Sequence, residues 1–412
     1  MKRWRMLPPG GAPLVPAALV HGLWSGIRGN SSVEALRMAL CERFSAEHVF
    51  FAGSGRAALA LLFSALRERY PERDEVLIPA YVSFSVPAAV ACSGCRIALY
   101  DLDPASLTPD YESLRESLSE RTLAVVACHQ FGLAFDLAPL AALCRDVGTV
   151  LVDDAAQAMG GRVGNAFAGT LGDIGLFSLS RGKPMTAVEG GILLTNDNAL
   201  AAALADADCP PVKRYDAVLA IKALALLLLR RPEFYRLPAS LPWLNLGASI
   251  FDPDFPQDAF TCFQAGLAAH ALGTLEGVNA QRAAKAALYR ERIKDLPGVK
   301  GVEEQPATLP VHARFPLLPQ EQGKSLTRLT ESGQARELGI SPGFPSALDD
   351  IPALGPHRAH PGREYPGARF LAANLITLPT HDLVREKDCL AALEYLAEVL
   401  EPRGVCHEGR AV

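Results

Sequence analysis

Apolar and polar positions follow two rhythms along the first two hundred residues. Short apolar runs at 48–52, 75–78, 97–101, 123–128, 149–152 and 174–179 read as strands. Between them, helical spacing appears at 57–66, after Tyr81, from Tyr111 and at 137–147. Strands alternating with helices predict one mostly parallel sheet covered by helices, with ligands gathering at the strands' C-terminal ends. The loop residues Ser54, Tyr81, Ser83, Phe84, His129, Asp154, Gln157 and Lys183 are expected to converge there, His129 having strand or helix capping as its alternative. Upstream, Ser31 and Glu34 fit a capping box that opens a helix through about Phe44.

Beyond Asp197 the pattern turns helical, and the 209–246 stretch reads as an insertion. Its AVLAIKALALLLL run at 217–229 is too short for a bilayer crossing, which takes roughly 20 residues. One reading is a helix buried between subunits or domains. The other is an interfacial helix resting on a membrane through 217–231, anchored by Lys213, Arg214, Arg230 and Arg231. A long helical pattern at 260–294 leads into a smaller α+β domain with a strand carrying His312 and Arg314, a helix near 326–338 and a last amphipathic helix at 386–400. The expected divisions are an N-terminal segment 1–45, a large α/β domain 46–208, an apolar helical insertion 209–256, and a linker helix with the small domain at 257–412.

Composition narrows the function classes. With 412 residues, 49% hydrophobic and 21% charged, there is material for a large core, and a net charge of −5 gives no general grip on nucleic-acid phosphates. The nine cysteines are an odd number scattered through apolar segments, as expected for reduced thiols in the cytoplasm. Cys92 and Cys95 form a lone CxxC without a second Cys/His pair, so no metal site is expected. Prolines and glycines interrupt any signal-peptide apolar region near the amino terminus, and secretion is not expected.

Chemistry concentrates between Thr149 and Asp197. The run TVLV ends in Asp153 and Asp154, as a buried strand delivering a carboxylate at its end would, and a second strand carries Ser178 and then Lys183. A lysine to bond an aldehyde, an acid to face a ring nitrogen and a turn to hold a phosphate point to pyridoxal phosphate. The turn Gly53-Ser54-Gly55-Arg56 supplies the last of these, because a helix N-terminus presents free N–H groups and a positive dipole end.

Taken in order, GSGRAAL (53–59), IPAYVSFSVPAAVACSGC (78–95), CHQFGLAFDL (128–137), VDDAAQAMGG (152–161), GDIGLFSLSRGKPM (172–185) and EGGILLTND (189–197) make the chain resemble the DegT-type nucleotide-sugar aminotransferases, pyridoxal phosphate enzymes of fold type I. The resemblance implies that Lys183 bonds the cofactor, Asp154 contacts its pyridine nitrogen, Gln157 lies near its phenolic oxygen, and Ser178, Gly55 and Arg56 hold its phosphate. It further implies a homodimer that moves an amino group from an amino acid, L-glutamate foremost, to a keto group on a nucleotide-linked sugar. Departures stand at Arg56, where the family has threonine, at Ser83, where an aromatic stacks on the ring, and at Gln257 and Ala259, where an Asn-Arg segment reaches the neighbouring subunit's phosphate. Two alternatives follow: a cofactor-binding protein without turnover, and a sugar dehydratase, whose branch replaces the lysine by histidine.

Overall fold

The computed structural model describes residues 5–207, 216–241, 250–320 and 327–400. The first nine strands are β1 (His48–Ala52), β2 (Glu75–Pro79), β3 (Arg96–Tyr100), β4 (Thr122–Cys128), β5 (Val150–Asp154), β6 (Arg162–Val163), β7 (Ala166–Phe167), β8 (Ile174–Ser178) and β9 (Gly191–Thr195). Seven of them form one mixed sheet in the order β1-β9-β8-β5-β4-β2-β3. The pairs from β3 through β8 are parallel, while β9 runs antiparallel to both β8 and β1. Every residue of β2, β4 and β9 is buried, which explains their unbroken apolar runs: helices cover both faces of a parallel sheet. In the register of β5, Asp154 lies opposite Cys128 on one side and Leu176 on the other.

A second, antiparallel sheet is built from β10 (Val299–Gly301), β12 (Phe315–Pro319), β14 (Ile376–Leu378) and β13 (Ser341–Pro342), in that order. It shares a core with the helix Glu386–Leu400 through Leu317, Ile376, Leu378 and Leu396. The short β11 (Thr308–Leu309) pairs with the β6/β7 hairpin. Between the sheets runs the helix Cys262–Ile293, opened by a capping box in which Thr261 Oγ1 accepts from Gln264 N at 3.2 Å and Gln264 Oε1 accepts from Thr261 N at 2.9 Å.

Several expectations need correction. The N-terminal segment contains an additional helix, Pro16–Arg28, which opens on proline at its first position and packs against the long 262–293 helix. The chain turns directly from it into Ser31–Phe44, so Asn30 occupies the N-cap in a helical conformation without a side-chain bond, and no Ser31/Glu34 capping box forms. Ser31 Oγ donates to Arg28 O instead, and Glu34 pairs with Arg37 at 3.1 Å. The expected 326–338 helix is a 3-10 turn, Thr327–Glu331, and a short helix, Gly333–Glu337; Ser332 caps the latter by accepting from Ala335 N at 3.0 Å, and Leu326 lies outside the described residues.

The apolar stretch forms the helix Asp216–Leu229. It buries Leu219 and Ala223 and packs on the 16–28 and 262–293 helices, while Ile221, Leu224 and Leu228 stay exposed, as do Val20, Leu23, Trp24 and Ile27 of the first helix. Among the expected membrane anchors, Lys213 and Arg214 lie outside the described residues, as do 209–215 and 242–246 of the insertion. Arg230 is turned inward, pairing with Asp382 at 2.8 Å and donating to Ala12 O, and so is committed to the fold. Among the described residues no helix is long and apolar enough to cross a membrane.

Candidate active site

The two adjacent acids at the end of β5 point to opposite sides of the sheet, as neighbouring strand residues must. Asp153 has no solvent exposure; its Oδ2 accepts from Gly169 N at 2.7 Å and Leu171 N at 2.9 Å, and its Oδ1 lies 2.9 Å from His129 Nε2. His129 in turn accepts from Phe135 N through Nδ1, at 3.3 Å. Because Nδ1 accepts, the imidazole proton sits on Nε2 facing Asp153, in an electrostatic contact rather than an aligned hydrogen bond. Asp153 and His129 therefore brace the loops behind the sheet.

Asp154 faces the other way. Its Oδ1 accepts from Ala156 N at 3.0 Å and its Oδ2 from the thiol of Cys128 at 3.4 Å. Burial raises the Asp154 pKa, opposed by the Ala156 N–H, by Lys183, by the Cys128 thiol and by His129. Cys128 itself is pushed well up, first by burial and then by the neighbouring Asp154 charge, so it remains a neutral donor.

Lys183 sits in the turn after β8. Gly182 takes φ +80°, a left-handed conformation in which a side chain would be strained, and so lets the chain reverse there. Lys183 is partly accessible, yet the protein packed around it lowers its pKa below 10.5; Asp154 and Cys128 oppose that shift and Arg314 adds to it. The turn is held from behind by Arg282 of the long helix, 1% exposed, which donates to Ala313 O at 2.8 Å, Gly11 O at 3.3 Å and Lys183 O at 3.5 Å. Burial pushes this guanidinium down to about 10. Nothing in the sequence separates it from the surface arginines of the same helix.

The Gly53–Arg56 turn brings β1 into the helix Gly55–Arg69, with Ser54 Oγ accepting from Ala57 N at 3.2 Å. A Cβ on Gly55 would stand 3.0 Å from both Cβ and Oγ of Ser178, so this glycine keeps open a cradle between the helix N-terminus and the end of β8. Its N–H groups, the helix dipole and the Ser178 hydroxyl make the cradle fit a phosphate. Arg56 is placed differently from its companions: its guanidinium lies 4.4 Å from the centre of the Phe255 ring. The 255–258 stretch follows this turn closely, with Asp258 O accepting from Gly53 N at 2.7 Å and Gln257 Nε2 3.1 Å from Cys92 Sγ.

The remaining expected residues divide. Gln157 and Ser83 are partly exposed. Tyr81 and Phe84 are core residues: Tyr81 is fully buried, packs edge-on against Phe344 at 5.1 Å and accepts from Phe344 N at 2.9 Å through its hydroxyl. Sequence reasoning missed Arg314 and Tyr235, of which Arg314 acts on Lys183 and Tyr235 lies near Arg314. The strand expected to carry His312 and Arg314 begins only at Phe315, because His312 takes a left-handed φ of +51° that breaks the extended run, and Tyr235 follows the apolar helix without any motif.

The sheet, the small domain and a lysine turn opposite a buried acid define the class of fold type I transferases. The chain belongs to the DegT/DnrJ/EryC1/StrS aminotransferase family, whose model matches residues 15–212 and 259–395 and leaves out most of the 209–256 segment. It is 28% identical over 177 residues to a GDP-perosamine synthase of Vibrio cholerae, covering 43% of this chain and 47% of that protein. A dTDP-4-dehydro-2,3,6-trideoxy-D-glucose 4-aminotransferase of Saccharopolyspora spinosa is 31% identical over 155 residues, 38% of this chain and 40% of that one. The chain thus spans about half the length of the curated relatives it matches. In fold it is similar to Helicobacter pylori PseC, an aminotransferase involved in the biosynthesis of pseudoaminic acid, with TM-score 0.78, 16% identity, and 96% of this chain and 100% of that one covered.

Proposed function

We propose that this chain is a pyridoxal phosphate-dependent aminotransferase that moves an amino group from an amino acid, L-glutamate foremost, to a keto group of a nucleotide-linked sugar, working in the cytoplasm as a homodimer. The observation that carries the reading is Lys183, a lysine of lowered pKa held opposite the buried carboxylate of Asp154 at the C-terminal edge of the sheet. The nucleotide sugar is supported by family membership and by the named activities of the relatives.

In this reading the N–H groups at the start of the 55–69 helix and Ser178 Oγ hold the cofactor phosphate, with Arg56 beside them; Asp154 faces the pyridine nitrogen and Gln157 the phenolic oxygen. When bound, pyridoxal phosphate supplies an aldehyde carbon to carry the amino group and a ring to take up the electron pair left when a Cα–H bond breaks. Lys183 moves the proton. Its environment favours the neutral amine, which can accept a proton from the substrate's Cα and return it one atom away. Packing around the turn, with Arg282 fixing its backbone, limits where that nitrogen can go.

The test is spectroscopic. The cofactor-loaded protein should be yellow, lose that colour with glutamate and regain it with a nucleotide keto-sugar, and borohydride should fix the cofactor covalently on the parent protein but not on Lys183→Ala. Colour that no amino acid removes would favour the alternative without turnover, and formation of a deoxygenated sugar without amine incorporation would favour the dehydratase.

A further inference from the structure

We propose that Arg314, flanked by Tyr81, Tyr235 and Ser341, is the subsite that binds the carboxylate of the amino-donating substrate. The proposal rests on the aminotransferase reading above and names a specificity-determining residue for it.

Position comes first. Arg314 immediately precedes β12, and its Nη1 donates to Ser341 Oγ at 3.3 Å, where β13 begins. A Cβ built on Gly10 would lie 3.4 Å from Arg314 Nη2, 3.6 Å from its Nε and 3.6 Å from the Cα of Gly182. The guanidinium therefore stands beside the turn that carries Lys183, and only an N-terminal glycine separates them. Electrostatics agree: Lys183 feels the charges of both Asp154 and Arg314, with opposite effects.

Charge comes second. Among the described residues no carboxylate lies within 4.0 Å of Arg314, whereas Arg230 has Asp382, Arg5 has Asp388 and Arg369 has Asp349. Burial lowers the Arg314 pKa, and the phenols nearest it, Tyr235 and Tyr81, are themselves shifted upward by burial and so stay neutral, supplying no counter-charge. A guanidinium largely packed against protein and without a counter-charge is unfavourable until an anion arrives, and its planar fork matches a carboxylate with two parallel N–H···O bonds. Arg314 is partly accessible, so an anion can reach it from the cleft.

The substrate's chemistry selects the anion. The cofactor's phosphate has its own cradle at Gly55 and Ser178. A nucleotide sugar carries its diphosphate on the anomeric carbon, away from the carbonyl that is to be aminated. The donor amino acid carries its carboxylate on the very carbon whose nitrogen must approach Lys183. An arginine beside Lys183 is therefore set for a carboxylate.

The experiment titrates cofactor-loaded protein by calorimetry with glutarate, a carboxylate that cannot donate nitrogen, and separately with uridine and guanosine diphosphates. Arg314→Met should weaken glutarate by about tenfold or more, Arg314→Lys by less, and neither should move diphosphate affinity by more than about twofold. Retained colour and an unchanged near-ultraviolet circular dichroism spectrum confirm that both variants fold. Unchanged glutarate binding in Arg314→Met, no glutarate binding in the parent protein, or loss of diphosphate binding in the variant would each overturn the assignment. If the parent protein binds glutarate through Arg314 but no amino acid discharges its colour, the subsite stands and the aminotransferase reading falls.

Discussion

The two walls of the cleft are built in opposite ways. One wall comes from consecutive strand ends of a single sheet: Cys128 from β4, Asp154 from β5, Ser178 from β8, and Lys183 five residues further on. The other is assembled from Gly10, Tyr235, Arg314 and Ser341, four segments that meet only through tertiary packing. The first wall holds its charges in satisfied contacts, with Asp154 accepting from Ala156 and Cys128, whereas the second leaves a cation without a carboxylate. Conserving chemistry calls for the first arrangement and admitting a charged substrate calls for the second. The contrast separates the reaction from the choice of what reacts.

The largest expected effect tests the first wall. Lys183→Ala should slow proton transfer by about 10³-fold or more, read in single-turnover reactions with glutamate, because in the proposed mechanism it removes the general base. Retained turnover would move the base elsewhere. The same lysine reports on both walls in cofactor-free protein, through the pH dependence of its modification by trinitrobenzenesulfonate. Its lowered pKa puts the half-maximal rate below pH 10.5. Arg314→Met removes a cation and should shift that midpoint up, whereas Asp154→Asn removes an anion and should shift it down. Linkage fixes the stability sign: between the lowered folded value and 10.5 the unfolded chain binds more protons at this site, so its contribution to stability rises with pH across that window.

Next comes the neighbouring pair of acids. Asp154→Asn should cost activity on the order of 10²-fold with little loss of stability, because the amide cannot supply the negative charge that the proposed mechanism sets beside the ring nitrogen. Asp153→Asn should do the reverse. Its amide oxygen can keep the bonds from Gly169 N and Leu171 N that Oδ2 accepts now, but its NH2 would face His129 Nε2–H, donor against donor in a fully buried site, costing about 2 kcal/mol in urea denaturation. Equal activity losses in both variants would erase the division between them.

The same contrast governs what the sequence disclosed. Strand runs, strand-end acids and the lysine turn were legible because each is encoded in one contiguous block, and strand alternation separates Asp154 from Asp153. Arg314 and Tyr235 were not, because their meeting depends on how the small sheet docks and on where the chain passes after the 216–229 helix. Arg282 was hidden by its setting, since an arginine in an alanine-rich helix reads as surface until three backbone carbonyls are found around it. The helix Pro16–Arg28 was hidden by its flanking prolines, although proline at a first helical position is compatible with the fold. Ser31 and Glu34 had the spacing of a capping box, but the tight link to the preceding helix already fills that role.

A smaller effect is expected at the phosphate cradle. Gly55→Ala places a methyl group 3.0 Å from Ser178 Cβ and Oγ, so either the hydroxyl or the helix start must give way. Overpacking of that size costs about 1–3 kcal/mol, which predicts roughly tenfold weaker cofactor binding in an equilibrium titration of cofactor-free protein. Ser178→Ala should weaken binding as well, and the double variant should fall short of the sum because both changes act on one contact.

The smallest effect is expected at Arg56, and it bears most directly on where the first wall ends. As the second residue of the 55–69 helix, Arg56 contributes a backbone N–H to the cradle whatever its side chain, and its guanidinium lies over Phe255. Arg56→Ala keeps the N–H and removes only the stacked cation, a contact of about 0.5–1 kcal/mol at an accessible site, so cofactor affinity should drop by no more than about fivefold. Phe255→Leu should leave affinity within that range if the guanidinium stays where it rests. A drop of about 100-fold in Arg56→Ala, steep in salt, would mean that the guanidinium swings from Phe255 onto the phosphate as the cofactor enters. Arg56 would then behave like Arg314, a cation waiting for its anion, and the division between a satisfied wall and an unsatisfied one would have to be drawn at the level of single residues.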